Sequence, residues 1–360
     1  MLVLGLDIGG ANVKAVYARP THGYRDVDVL GSYRVYHPIW IRGLESLRQV
    51  LMDLKQRFGL EPGGYVVGVT MTAELSDIFR TKFEGVKSIV EVVEDVYSDS
   101  QGIYYVTVDM ELVKASEAIK NYLRVAAANW AATAWLMRYR CRDWRASNAI
   151  LIDIGSTTTT IIPMVNCEVR VRGYTDPEKL VYGELVYTGI LRTNVAAIVD
   201  KVPYKGFFAK VSSERFALTS DAHLVLGHIS PEDYTTETAD GRGRSVEEAA
   251  QRLARVPCAD SDILSFEEIV EIARYVYEKQ VFQVFEALMQ IRSWLASQRV
   301  KPNDFTVITA GIGEFLASEA ARRAGFNKIV SINSFVGKEI AGVLPSYALT
   351  LMVMNKVLRS

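Results

Sequence analysis

The chain has 360 residues, enough for two or three domains. Its 42 acidic and 41 basic residues leave a formal net charge of −1, which gives no basis for gripping nucleic acid by bulk charge. With 49% hydrophobic and 23% charged residues, the composition excludes a disordered chain.

In chain order, the first pattern is a strand over 3–8, a permissive turn at Gly9-Gly10, and a returning strand over 13–17. A strand over 65–70 follows, with a helix starting over 74–79 and another strand over 104–108. Asp109 is placed to cap a long Ala-rich helix reaching about residue 140. The opening pattern then recurs. Residues 3–16 read VLGLDIGGANVKAV and residues 149–162 read AILIDIGSTTTTII, with Asp7 and Asp153 in matching places. This second copy predicts strands over 150–154 and 158–163 around Gly155-Ser156, and the echo reads as a duplicated domain unit.

Beyond it the sequence predicts a helix over 184–199, strand-like pieces over 206–218, and a Gly-containing turn and polar helix over 237–255. Ser265 with Glu268 forms a capping box that opens a helix of about thirty residues. Its core candidates include Ile269, Ile272, Val276, Leu288, Ile291 and Leu295. Pro302 closes the next turn, and a strand over 305–309 leads into the Gly311-Ile312-Gly313 loop. A helix over 314–324 ends at Gly325, a strand spans 328–332, and an apolar helix spans 346–358. Alternating strands and helices make the class α/β.

Cys141, Cys167 and Cys258 are scattered, which argues against a disulfide framework and against CxxC metal sites. His223 and His228, five residues apart, share neither a helix face nor a strand face. The charge-free stretches 125–137 and 341–355 fall short of the ~18 apolar residues needed to span a bilayer. The chain begins on a strand-like run rather than a leader. These features lead us to expect a soluble, cytoplasmic protein.

Gly-rich reversals let backbone N–H groups approach a ligand, and phosphate oxygens suit such donors. Gly9, Gly10 and Gly155 fit that task, with Asn12, Ser156, Thr157 and Thr158 as side-chain donors. Ser156 stands where the first copy has Gly10, adding a hydroxyl while hindering backbone approach. Asp7 and Asp153 would repel phosphate directly and so suit Mg²⁺ or its waters. Lys14 is either a cation beside the phosphates or a solvated strand lysine. Gly311 and Gly313 lie where open α/β sheets bind ligands, at a strand's C-terminal end.

Taken together, DIGGANVK, DIGSTTTT and TAGIGEFLA resemble, in that order, the two phosphate loops and the adenosine loop of the acetate and sugar kinase/Hsc70/actin superfamily. That resemblance implies two ribonuclease-H-like domains with an interdomain cleft. The expected division is 1–145 and 146–360, with the C-terminal helix packing back onto the first domain and an inserted segment at about 200–262. A narrower set of strings, GLDIGGANVKA, MTAELSDIF, DIGSTTTT, DAHLVLG, ETADGR and RLAR, resembles the archaeal and methylotroph hydantoinase/oxoprolinase-like group.

This narrower resemblance implies a transferase of methanofuran-type cofactor biosynthesis. Its reaction joins a furfuryl-type diphosphate to a tyramine-derived phenol, forming an aryl ether and releasing diphosphate. The implied partners are a small-molecule diphosphate and a phenolic amine, with no nucleic acid and no membrane, and a homo-oligomer left open. The implied cofactor is Mg²⁺, with ATP or ADP not required. The phenol must lose a proton, so a carboxylate base is expected. Asp221 in DAHLVLG is the first candidate, with a helix N-cap as its alternative role. Glu74 in MTAEL is the second, and it could equally be a first-turn acid. Glu184 is a further candidate, and Asp240, Arg242 and Arg244 could close over an anion. Two other readings stay open: an ATP-dependent small-molecule kinase and a non-catalytic nucleotide-binding regulator.

Overall fold

Two parallel-centred sheets organise the protein. The computed structural model describes residues 1–23, 25–301 and 304–358. The chain divides into two compact units, one of residues 1–147, 164–179 and 333–360, the other of residues 148–163 and 180–332. Segments 164–179 and 333–360 lie past the boundary drawn from sequence and cluster with the first unit.

The first unit holds strands β1 (Leu2–Ile8), β2 (Asn12–Pro20), β3 (Val27–Tyr36), β4 (Tyr65–Met71), β5 (Ile103–Val106) and β6 (Leu112–Val113). Their order in the sheet is β3-β2-β1-β4-β5-β6, with β2 antiparallel to β1 and β4 parallel to it. β1 is buried at every position from Val3 to Ile8, as a central strand covered on both faces should be. Helices Ile39–Arg57 and Lys82–Val96 contribute Leu47, Leu51, Val86, Ile89 and Val93 to one core with the strands.

The C-terminal helix Leu344–Val353 packs on β1 and β4, and two glycines allow it. Gly5 and Gly68 are register partners on neighbouring strands. A Cβ at Gly5 would lie 2.1 Å from the Ser346 carbonyl oxygen, and one at Gly68 would lie 2.7 Å from Val353. Neither contact is tolerable, so the helix approaches only because both side chains are missing.

The second unit holds β7 (Ala149–Ile154), β8 (Thr159–Val165), β9 (Glu168–Val169), β10 (Leu185–Val186), β11 (Lys201–Tyr204), β12 (Phe207–Lys210), β13 (Thr306–Ala310) and β14 (Lys328–Ser331). The main sheet runs β10-β8-β7-β13-β14, and β11 pairs with β12 separately. The first five positions of one sheet and those of the other repeat one plan: third strand, second, first, then two further strands. This is the ribonuclease-H-like order, so the duplicated α/β architecture expected from the echo is present.

Several local expectations change. Residues 74–79 form only a single 3₁₀ turn, Ala73–Leu75, and the helix starts later, at Lys82, capped by Thr81. The long Ala-rich helix is three helices, Ala115–Lys120, Tyr122–Val125 and Asn129–Arg140. The chain breaks where Ala127 takes φ 51°, and Asp109 caps nothing, instead pairing with Arg124 at 2.6 Å. Most of 184–199 is irregular, with helix only over Val195–Ile198. The capping-box helix Phe266–Ser297 is as expected, with all six named core positions buried. Pro302 lies outside the described residues.

Cys141 and Cys167 form a disulfide, which corrects the inference from scattered cysteines. The β8–β9 hairpin returns Cys167 to the end of helix Asn129–Arg140, and the Cys167 amide donates to Ser147. That proximity is tertiary and leaves no trace in spacing. Among the described residues no helix is long and apolar enough to cross a membrane.

Candidate functional site

The two Gly-rich turns share one backbone signature. The Gly9 amide donates to the Asn12 carbonyl at 2.9 Å, and the Gly155 amide donates to the Thr158 carbonyl at 2.9 Å. Among the described residues, the N–H groups of Gly10, Ala11, Ser156 and Thr157 donate to no protein acceptor. The free donors therefore sit at the tips of both turns, the arrangement an anion can use.

In the first unit, sheet register lines up Thr70, Asp7, Lys14 and Arg34 across β4, β1, β2 and β3. Asp7 is 3% exposed. Its Oδ2 meets Lys14 Nζ at 3.5 Å, while Oδ1 has no hydrogen-bond partner and neither does the hydroxyl of neighbouring Thr70. Burial raises the Asp7 pKa, and the charges of Lys14 and Arg34 oppose that rise without cancelling it. An orphaned carboxylate oxygen beside an orphaned hydroxyl is a hard-oxygen donor set of the kind Mg²⁺ accepts. Lys14 is a partly exposed strand lysine whose ammonium faces the Asp7 carboxylate.

Glu74 lies in the 3₁₀ turn that follows β4 and is 1% exposed. Gly85 admits it, since a Cβ there would lie 2.3 Å from the Glu74 carbonyl oxygen. Neither carboxyl oxygen has a well-formed hydrogen bond. Burial pushes its pKa up to about 7, partly offset by nearby backbone N–H groups and by Lys82, with Asp176 adding to the rise. Lys82 and Asp176 are themselves an ion pair at 3.2 Å. A buried carboxyl poised near neutrality is the profile of a general base.

In the second unit, Asp153 ends β7 beside Ala310 of β13. Gly311 follows with φ 84°, and a Cβ there would lie 2.5 Å from Asp153 Oδ1 and 2.3 Å from the Ile154 carbonyl. Gly313 is packed as tightly, 2.4 Å from Ile154. These two glycines therefore let the loop close over the end of β7. The carbonyls of the 155–158 turn are held from behind, by Ile190 on Gly155 and by Leu191 and Arg192 on Ser156. Sequence reasoning missed Glu314, at the start of helix Glu314–Arg323. Ser331 donates to its carboxylate at 2.8 Å, and burial together with the Asp153 charge raises its pKa. Its only sequence signal was its place immediately after Gly313.

Asp221 has a different setting. It is fully buried at the third position of helix Thr219–Val225, not at its N-cap. Its Oδ2 accepts the Leu218 amide at 2.8 Å, and its Oδ1 accepts Tyr234 at 3.1 Å and Arg252 Nε at 2.8 Å. Arg252, also fully buried, reaches Asp240 at 3.2 Å and the Gly243 carbonyl at 3.1 Å. The strings DAHLVLG, ETADGR and RLAR thus converge on one buried ion network. Three hydrogen bonds on a carboxylate with about four acceptor sites make Asp221 a tie between these segments. Arg242 and Arg244 are exposed, and Glu184 is buried with its carbonyl accepting the Ile161 amide.

His223 and His228 do meet, Nδ1 to Nδ1 at 3.2 Å, because the chain turns back after Val225. His223 Nε2 faces Gln280 Oε1 at 2.9 Å, and Gln280 donates to the Gly189 carbonyl at 3.0 Å. Burial drives the His223 pKa down to about 3, so the chain of contacts is neutral. Among the described residues no three His, Cys, Asp or Glu side chains form a metal-binding group.

The family model described as hydantoinase/oxoprolinase matches residues 66–351. A Methanocaldococcus jannaschii protein named 4-(4-(2-(γ-L-glutamylamino)ethyl)phenoxymethyl)furan-2-yl-methanamine synthase is 34% identical over 357 residues, 99% of each chain. A Methanococcus vannielii protein of the same name is 33% identical over 214 residues, 58% of this chain and 92% of that one. Among solved structures, nucleotide-free acetone carboxylase superposes with a TM-score of 0.50 at 9% identity, over 91% of this chain and 68% of that one. That likeness concerns the fold alone.

Proposed function

The chain belongs to the hydantoinase/oxoprolinase family, and we propose that it is a cytoplasmic transferase of methanofuran-type biosynthesis. It joins a furfuryl-type diphosphate to a phenol bearing a γ-glutamylaminoethyl arm, forming the aryl ether and releasing diphosphate. The observation that carries this reading is the 34% identity spanning 99% of both chains to the synthase whose name describes that ether.

The chemistry needs little from the protein beyond charge management. The furan ring stabilises positive charge at its exocyclic CH₂, so the C–O bond ionises if the departing diphosphate is stabilised. Each Gly-rich turn, taken by itself, offers donors of the kind such an anion needs: the N–H groups of Gly10 and Ala11 in the first unit, and those of Ser156 and Thr157 in the second. Lys14 adds a fixed positive charge. In the first unit Asp7, with Thr70 beside it, is the residue that would hold Mg²⁺; Asp153, at the end of β7, is the matching carboxylate of the second unit. When bound, that ion supplies charge neutralisation for the leaving group. The proton of the phenol goes to Glu74, whose pKa burial keeps near neutrality against the opposing pull of nearby backbone N–H groups and Lys82. We assign Glu74 rather than Asp221 because Arg252, Tyr234 and the Leu218 amide already occupy the Asp221 oxygens.

The test incubates the protein with Mg²⁺, a furfuryl-type diphosphate and a tyramine derivative, beside ATP and ADP controls. Diphosphate release that requires the phenol supports the reading, whereas phosphorylated product from ATP replaces it with a kinase. Asp7→Asn and Asp153→Asn should each cut turnover at least about tenfold with thermal unfolding little changed. Full activity in both variants removes the carboxylates from the mechanism.

A further inference from the structure

The second unit carries a groove of about 880 Å³ that none of the roles above uses. It runs along helix Glu314–Arg323, between that helix, β14 and Tyr277 of helix Phe266–Ser297. Its volume is in the range of sites that enclose a small organic molecule.

The lining changes along its length. At one end lie Thr309, buried at the close of β13, and Glu314 bonded to Ser331. This end adjoins Asp153, whose charge Glu314 senses and whose Oδ1 touches the Gly311 position. The middle is aromatic, with Tyr277, Phe315 and Phe326. Tyr277 and Phe315 are held by His228, whose ring centre lies 4.7 Å from each of theirs. The outer end carries opposite charges, Glu319 and Arg322, at 3.0 Å from one another. Arg322 is largely exposed, so its guanidinium can re-aim without a burial cost.

We infer that this groove binds the acceptor's arm: the amino-acid head lies at Glu319 and Arg322, and the phenol ring lies on Tyr277 and Phe315 with its oxygen toward Asp153. The inference rests on the transferase reading and names the subsite of its phenolic substrate. The relatives' name describes a phenol carrying an ethylamine in γ-amide linkage to glutamate, so its far end is a zwitterion. A guanidinium pairs with a carboxylate in forked geometry, and Glu319, which accepts Arg322 on one oxygen and Arg323 on the other, keeps a second acceptor site on each for the ammonium. Length agrees as well. Helix rise from position 314 to position 322 is about 12 Å, and a ring plus two residue lengths at roughly 3.5 Å each spans the same distance.

The test compares two acceptors, γ-glutamyltyramine and tyramine, in wild type and in Arg322→Ala. Losing a charge-assisted contact should raise KM for γ-glutamyltyramine about tenfold, leave kcat unchanged, and leave KM for tyramine unchanged. Equal effects on both acceptors, or none on either, overturn the assignment. A second variant, Ser318→Trp, fills the groove, and calorimetric titration of γ-glutamyltyramine into it should show binding lost. That readout needs no turnover: undiminished binding in Ser318→Trp refutes the groove whether or not the transferase reaction is observed, while a wild type that binds the acceptor yet releases no diphosphate refutes the reaction and leaves the groove standing.

Discussion

Replacing Glu74 by Gln separates a buried base from a buried structural carboxyl. In the native protein the group titrates at about 7, against 4.5 when unfolded. Folding with Glu74 ionised therefore costs about 3 kcal/mol, at 1.36 kcal/mol per tenfold change in proton affinity. The sign follows from the raised native value. Below about pH 4.5 the carboxyl is protonated in both states and no cost arises; between 4.5 and 7 the cost grows; above 7 it is complete. Gln cannot ionise, so the stability of Glu74→Gln relative to wild type should climb across that window and level off. Urea unfolding at a series of pH values from 4 to 8 reads this directly, and two curves that stay parallel would refute the burial argument. Turnover should move oppositely. The variant should lose about 10²- to 10⁴-fold in kcat, and wild-type kcat/KM should rise with pH through about 7. A variant that is stabilised above neutral pH yet fully active keeps the electrostatics and removes Glu74 as the base.

The ion network makes a contrasting forecast. Arg252→Leu leaves Asp221 buried without its partner and should cost roughly 3–5 kcal/mol in denaturant unfolding, whereas Asp221→Asn should lower stability while its folded fraction keeps turning over. Loss of all turnover in folded Asp221→Asn would restore Asp221 as the base. Reducing the Cys141–Cys167 bridge, which closes a separation of 26 residues, should remove roughly 3.5 kcal/mol of stability; unchanged unfolding in reductant would show that the bridge contributes nothing. Gly311→Ala puts a side chain in a left-handed backbone and against the Asp153 carboxylate. It should lower turnover together with melting temperature, and a fully active variant would show that the loop need not close over β7.

The duplicated DIG turns, their flanking strands and the capping-box helix were legible in the sequence because each depends on neighbours a few residues away. Apolar β-branched runs, paired glycines and the Ser265–Glu268 spacing encode local geometry, and the structure realises it. What tertiary packing decided is of another kind. Asp221, Arg252 and Asp240 are remote in sequence, and only folding joins them into one buried ion network. Glu74 drew attention as a candidate base in the MTAEL string, but its raised pKa comes from the desolvation that surrounding segments impose, a many-body effect absent from any local string. Cys141 and Cys167 meet through a hairpin return, Gly5 and Gly68 reveal their purpose only under the C-terminal helix, and Glu314 matters because β7 and β13 end side by side. Local sequence sets backbone preference; which polar groups lose their water, and which partners they then find, is settled only when distant segments close around them.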